Sequence, residues 1–305
     1  MLALASHVPL LADLGLVDRL IPYQGGYRRF FPIARQMRAE RPDLALVLHG
    51  NEPQATPLAY LSGARFIFKL PNRNRFRFLL SNSDPVIGWE SLGHGLDQRL
   101  QLARMAGADT TGARMTLSVS TEAVAKVEAW FESAGIAASV DVIGFQPCAS
   151  SRSRMWPAEY FVSLASRLLQ QNPALRFVIT GSPGEAAYCQ QIAAAIGPSA
   201  FVTAGEFSVA ELPALVARMR LLVSGDTGTM HVSVAVGTPV VALFAVSDPM
   251  RSGPAQDQER HVVIYKPCQE TGITSKSDDQ RCISRISVEE VETGVLSILQ
   301  RRIAP

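Results

Sequence analysis

LLVSGDTGTMHVSVAVGTPVVALF, residues 221–244, reads as a buried strand, a Gly-Asp-Thr-Gly turn, an amphipathic helix and a second buried strand. Asp226, Thr227, Gly228, Thr229 and His231 gather at the turn. A helix start of this kind leaves unpaired N–H groups and a positive dipole end, so it suits an anion such as phosphate. Gly225 and Gly228 allow close approach of the backbone, and His231, one helical turn after Gly228, can face the same place. The same residues also fit a plain cap, with Asp226 or Thr227 closing the helix and His231 packed on a neighbour.

Outward from this stretch, apolar runs alternate with helical stretches, the pattern of parallel sheets covered by helices. In the second half, strands are expected at Val140 to Phe145, Arg176 to Thr180, Leu221 to Ser224, Pro239 to Phe244 and His261 to Ile264. Helices are expected at Pro157 to Gln171, Glu185 to Ile196, Val209 to Arg218, Thr229 to Val236 and Val288 to Arg301, the first announced by Trp156-Pro157. In the first half the strands are Leu20 to Tyr23, Leu44 to His49, Phe66 to Leu70 and Met115 to Val119. The helices there are Arg28 to Glu40, Ala55 to Ser62, Asp97 to Ala106 and Thr121 to Ala134. The glycine and alanine residues at 134–139 mark a domain junction, giving units of residues 1–136 and 137–305.

The 305 residues suffice for two domains, and 47% hydrophobic with 18% charged residues is a globular composition. A net charge of +2 gives no basic surface for nucleic acid. No apolar run reaches the roughly 20 residues that span a bilayer, so a soluble, cytoplasmic protein is expected. Cys148, Cys189, Cys268 and Cys282 form no metal pattern and are expected to be buried, reduced thiols. Cys268 and Cys282 are the pair that a loop can bring together, although in a reducing compartment a structural disulfide is not expected.

SGDTGTMHVSVAVGTPVVALF, followed by Ser247-Asp248-Pro249 and Gly253-Pro254, resembles the donor-site signature of glycosyltransferase family 9, the heptosyltransferases. VIGFQPCASSRSRMWPAEYFVSL, residues 142–164, is similar to the family's strand, small-hydroxyl loop and Trp-Pro helix start. Phe177 to Gly181, Cys268, Cys282 and Ser284 to Val291 continue the likeness, and LVDRLIPY, PDLALVLHG and AYLSGAR carry it more weakly in the first half. The resemblance implies an α/β, GT-B-like fold with two Rossmann-like domains and a cleft between them, acceptor on the first and donor on the second.

It further implies an inverting transfer of a heptose-like sugar from a nucleotide diphosphate sugar, ADP-heptose or a relative, to a lipopolysaccharide core or another lipid-linked oligosaccharide. No metal and no cofactor are implied, and peripheral contact with the cytoplasmic face of the inner membrane is. Ser150, Ser151, Arg154, Asp226, Thr227, Gly228, Thr229 and His231 are the implied donor-binding residues, with Arg154, where the family often has lysine, and His231 catalytic. Ala149 lacks a hydroxyl that the family's loop supplies.

Relatives open with a strand, a Leu-Gly-Asp turn and a helix carrying the general base. The first 23 residues, MLALASHVPLLADLGLVDRLIPY, are similar to the region after that unit, so the first βα unit is expected to be absent and Asp13 is not its carboxylate. Glu52 and His49, beside Asn51 after the strand LALVLHG, are the remaining base candidates, with Asp84 and His94 behind them. The basic-aromatic stretch KLPNRNRFRF, Lys69 to Phe78, offers Arg73, Arg75 and Arg77 to an anionic acceptor, or is a solvated loop. A catalytically silent nucleotide-sugar-binding protein that has lost the base is the alternative, and an epimerase on the same architecture a third reading.

Overall fold

A computed structural model describes residues 1–12, 14–48 and 52–301. The chain divides into two compact units, Met1–Ala113 and Arg114–Pro305. The division falls ahead of the glycine and alanine stretch at 134–139 because the helix Thr121–Ser133 belongs to the second unit, where Val127 and Phe131 are buried with Val142, Leu215 and Leu222.

In the first unit the strands are β1 (Leu2–Leu4), β2 (Ile21–Tyr23), β3 (Leu44–Val47) and β4 (Phe66–Lys69). The helices are α1 (Val8–Ala12), α2 (Phe30–Ala39), α3 (Ala55–Leu61) and α4 (Gly95–Met105). β1 pairs parallel with β2, and β3 parallel with β4, as two separate two-stranded sheets. Ile33 and Ala34 of α2 bury against Ile21, Tyr23 and Leu58. Ala59 of α3 buries against Val47 and Ile67.

The second unit holds helix α5 (Thr121–Ser133) and strand β5 (Val142–Gln146), then α6 (Ala158–Gln171), β6 (Arg176–Ile179), α7 (Ala186–Ile196) and β7 (Ala200–Val202). There follow α8 (Leu212–Ala217), β8 (Leu221–Gly225), α9 (Gly228–Ala235), β9 (Val240–Phe244), α10 (Pro249–Ser252), β10 (Val262–Tyr265) and α11 (Val288–Gln300). One parallel sheet carries the order β10-β9-β8-β5-β6-β7. Every residue of β5, β8 and β9 is buried, as expected of parallel strands covered on both faces.

Alternation sorts those strands between two cores. Ile143, Phe145, Leu221, Val223, Val241 and Leu243 meet α6, α7 and α11, whereas Val142, Leu222, Val240, Ala242 and Phe244 meet α5, α8 and α9. α6 is helical because Phe161, Leu164, Ala165 and Leu168 repeat at helical spacing and form its buried stripe. Each such large side chain contributes about 1.5–3 kcal/mol by leaving water. Trp156, fully buried before α6, packs edge-on to Phe161, and its indole N–H donates to the Ile286 carbonyl at 2.9 Å. α11 starts at a reciprocal cap between Ser287 and Glu290.

Three expectations are corrected. Met115 to Val119 is not a strand: the Met115 N–H and carbonyl pair with the Gln256 side chain, at 2.9 and 3.0 Å, in place of a ladder. β7 was not expected, being three half-buried residues with no alternation long enough to read. Cys268 and Cys282 are joined as a disulfide, their Cα atoms 5.2 Å apart, while Cys148 and Cys189 remain buried thiols.

Candidate functional site

The strand order of the second unit reverses at β5. The chain leaves β5 for β6 and β7 on one side, then returns to β8, β9 and β10 on the other. Open α/β sheets bind ligands beyond the carboxyl ends of the strands at such a reversal, because the two loops diverge there and leave a crevice. Gln146 pairs with Ser224 at that end of the sheet, so the turn 147–154 after β5 and the turn 226–227 after β8 emerge side by side.

Arg154 ties the turns together. It ends a 3-10 turn, Arg152–Arg154, and its Nη1 donates to the Asp226 carbonyl at 2.8 Å and lies 3.6 Å from the Asp226 carboxylate. Its Nε donates to the Ser151 hydroxyl at 3.3 Å, and Nη2 donates to the Ser150 hydroxyl. The Arg154 and Asp226 side chains are 20% and 15% exposed, enough to leave one edge open to solvent while weakening screening between them. Gly225 is glycine because a Cβ there would overlap the main-chain oxygen of Arg154. Its close approach is therefore to the protein's own backbone, whereas the Cβ position of Gly228 faces open space.

Thr227 caps α9, its hydroxyl accepting from Met230 N–H at 3.4 Å and lying 2.9 Å from the Ser224 hydroxyl. Capping thus falls to Thr227, leaving the Asp226 carboxylate to Arg154. Thr229 sits in the first turn and donates to Gln146 Oε1 at 3.1 Å, and His231, three residues after Gly228, is half-buried. Ser150, Ser151, Arg154, Asp226, Thr227, Gly228, Thr229 and His231 all belong to these two turns and to the start of α9.

Gln146 was missed. Its Oε1 also accepts from Thr180 at 2.7 Å and its Nε2 donates to the Cys148 carbonyl at 2.8 Å, so one buried amide joins the ends of β5 and β6 to the start of α9. The available signal was a polar residue ending the apolar run VIGF. Ser247, after β9, is a second such residue: its hydroxyl is buried with no hydrogen-bond partner among the described residues, which marks spare polar capacity.

A segment between β10 and α11 supports the site from outside. The Ser151 hydroxyl donates to the Ser275 carbonyl at 2.7 Å, Ser153 N–H donates to the Ser277 carbonyl at 3.1 Å, and Gln280 Nε2 donates to the Met155 carbonyl at 2.9 Å. The Cys268–Cys282 bond closes this segment at its base.

The remaining candidates lie in the first unit. Glu52 is half-buried and accepts from Gln54 Nε2 at 2.5 Å. Asp13, His49 and Asn51 fall outside the described residues. Asp84 is exposed, and His94 caps α4 through Nδ1, which accepts from Leu96 N–H at 3.0 Å. The stretch Lys69 to Phe78 does not present one basic face. Lys69 is buried, its Nζ donating to Thr56 at 3.3 Å with its pKa held below the usual lysine range by burial, while Arg73 pairs with Glu90 at 2.7 Å.

Among the described residues no helix is long and apolar enough to cross a membrane. The family model described as glycosyltransferase family 9 (heptosyltransferase) matches residues 31–279. A lipopolysaccharide core heptosyltransferase of Haemophilus influenzae is 27% identical over 154 residues, 48% of this chain and 44% of that protein. The match therefore spans less than half the length of that relative. The solved structure of a family 9 glycosyl transferase from Veillonella parvula superposes with a TM-score of 0.78 at 21% identity, covering 98% of this chain and 87% of that one. The ADP-heptose lipopolysaccharide heptosyltransferase II of E. coli gives 0.77 at 22%, covering 98% and 88%. These likenesses show the fold, which is the expected α/β class with parallel sheets, of GT-B type.

Proposed function

The chain belongs to glycosyltransferase family 9, and from that premise we propose that it moves a heptose-like sugar from a nucleotide diphosphate donor to a lipopolysaccharide-type acceptor. The observation that carries this reading is the joining of Arg154 to Asp226 where the strand order reverses, at the start of α9. A diphosphate placed there meets the free N–H groups of α9, the hydroxyls of Ser150, Ser151 and Thr229, and the Arg154 guanidinium, whose planar fork suits phosphate oxygens. His231 adds a donor on the same helix. ADP as the nucleotide is supported by the name of the E. coli neighbour.

In this reading the transfer inverts the sugar. The acceptor hydroxyl oxygen attacks C1, the bond from C1 to the diphosphate oxygen breaks, and the hydroxyl proton passes to a carboxylate or imidazole base. Arg154, His231 and the helix start neutralise the departing diphosphate, so neither a metal ion nor a cofactor is invoked. Glu52 and His49 are the base candidates within this sequence. The acceptor, a lipid-linked oligosaccharide, would bring the protein to the cytoplasmic face of the inner membrane as a peripheral visitor.

The test supplies ADP-heptose with a lipid A-core acceptor and follows ADP release and the mass of the product. Transfer at a rate that falls in Arg154→Ala supports the reading. Donor binding with no transfer would favour a silent binding protein, and failure to bind ADP at all would remove the donor site from α9.

A further inference from the structure

Gln146 closes β5, the strand at which the order of the sheet reverses, and is only 8% exposed. Burying a primary amide there is unfavourable unless its lost water contacts are replaced, whereas an unbranched apolar side chain would fill the same space without that penalty. Packing alone gives no reason for an amide at this position. Its contacts give one. Oε1 accepts from the hydroxyls of Thr180 and Thr229 at 2.7 and 3.1 Å, and Nε2 donates to the Cys148 carbonyl at 2.8 Å. A carbonyl can only accept, so the Cys148 contact fixes which end of the amide faces which partner.

An amide nitrogen carries two hydrogens, and the one not given to Cys148 has no partner among the described residues. A donor left unpaired on a side chain more than nine-tenths buried is uncommon in a folded protein and calls for a reason. The neighbours supply it. Thr229 is the second residue of α9, and the Thr227 cap takes only the Met230 N–H. The N–H groups of Gly228 and Thr229 therefore stand without acceptors among the described residues, beside the open space at the Cβ position of Gly228. Through Thr229 on one side and Cys148 on the other, one side chain sets the distance between the start of α9 and the turn that carries Ser150, Ser151 and Arg154.

We infer that Gln146 is a further donor-site residue: it holds the first turn of α9 against the turn after β5 and gives its remaining N–H to a phosphate oxygen of the donor. The inference rests on the reading of the α9 start as the diphosphate site. Arg154 brings charge to that place from its partly exposed position, whereas Gln146 brings a neutral donor whose direction is fixed by three protein contacts. A donor aimed at phosphate adds to the affinity for a nucleoside diphosphate and leaves the affinity for the bare nucleoside as it is.

The experiment titrates ADP and adenosine by calorimetry into the wild type, Gln146→Met and Gln146→Glu, with a thermal melt of each. Methionine keeps the unbranched length and suits a buried place but removes the amide, and glutamate keeps the shape but replaces the N–H groups with an oxygen. Both variants lose ADP affinity by about tenfold or more, the worth of a hydrogen bond to a charged group, with adenosine affinity unchanged. In isotope-labelled wild type the Gln146 side-chain amide resonances, identified by their absence from Gln146→Met, shift on adding ADP and stay in place with adenosine. A merely structural amide would lower the melting temperature while ADP and adenosine affinities stayed in proportion and the resonances stayed still, and that result overturns the inference. Wild type that binds no ADP would remove the donor reading and this inference together, whereas ADP binding equal in all three proteins removes this inference alone.

Discussion

Arg154 and Asp226, 72 residues apart in sequence, meet through two contacts of one guanidinium nitrogen, 2.8 Å to the Asp226 carbonyl and 3.6 Å to its carboxylate. The arginine thereby holds the turn before α9 by main chain as well as by charge. A ligand phosphate that takes over part of this guanidinium leaves the carbonyl contact as an anchor.

Arg154→Ala should weaken ADP binding by about 10- to 150-fold, the equivalent of roughly 1.5–3 kcal/mol for a charge-assisted contact. It should also lower the melting temperature, since Asp226 loses its cation. Calorimetric titration with ADP beside a thermal melt separates the two effects, and unchanged ADP affinity would take Arg154 out of the site.

The two glycines of the turn should part company. Gly225→Ala forces a Cβ onto the Arg154 main-chain oxygen and should cost about 1–3 kcal/mol or prevent folding. Gly228→Ala places its methyl in open space in the first helical turn and should stabilise the free protein by about 0.4–1 kcal/mol. If the diphosphate lies against that turn, the same methyl lowers ADP affinity. A melt that rises while affinity falls is the expected signature, and unchanged affinity would place the diphosphate elsewhere.

His261 sets a pH dependence. It is buried, its Nδ1 accepts from Val240 N–H at 3.2 Å at the start of β9, and burial holds its pKa below the usual 6.5. The unfolded chain therefore binds a proton that the folded chain resists. The stability is fully present above pH 6.5 and is lost as pH falls from there through the folded pKa, at up to about 1.4 kcal/mol per pH unit. Urea midpoints at pH 8, 7, 6 and 5 should fall in the wild type. His261→Gln should begin lower at pH 8 and stay flatter across that window.

The Cys268–Cys282 bond closes 14 residues of chain. Loop-closure entropy makes that worth about 3 kcal/mol. The Cys268→Ser, Cys282→Ser double variant, or reduction of the wild type, should lower the melting temperature and weaken ADP binding, because Ser275 and Ser277 prop Ser151 and Ser153. Identical melts with and without reductant would show that the bond does not form in solution.

The strands and helices that meet their neighbours by apolar pattern alone were legible. VIGF, LLVS and VVALF are continuous apolar runs and became β5, β8 and β9, and Trp156-Pro157 opened α6 as its missing N–H predicts. Met115 to Val119 misled because its apolar content resembles a strand, while its backbone partner is a side chain more than a hundred residues away. Lys69 misled in the opposite sense: a basic residue among arginines reads as solvated, yet its place at the end of β4 buries it.

By itself the sequence determined the alternation of parallel strands and helices, the phosphate-type turn before α9 and the family to which they belong, since these rest on residues within a few positions of one another. Only the tertiary structure decided that Arg154 reaches Asp226, that Gln146 joins the ends of β5 and β6 to the start of α9, and that Cys268 bonds Cys282. Those depend on strand order and register, which come from the free energy of burying whole faces against each other and not from any local run of residues.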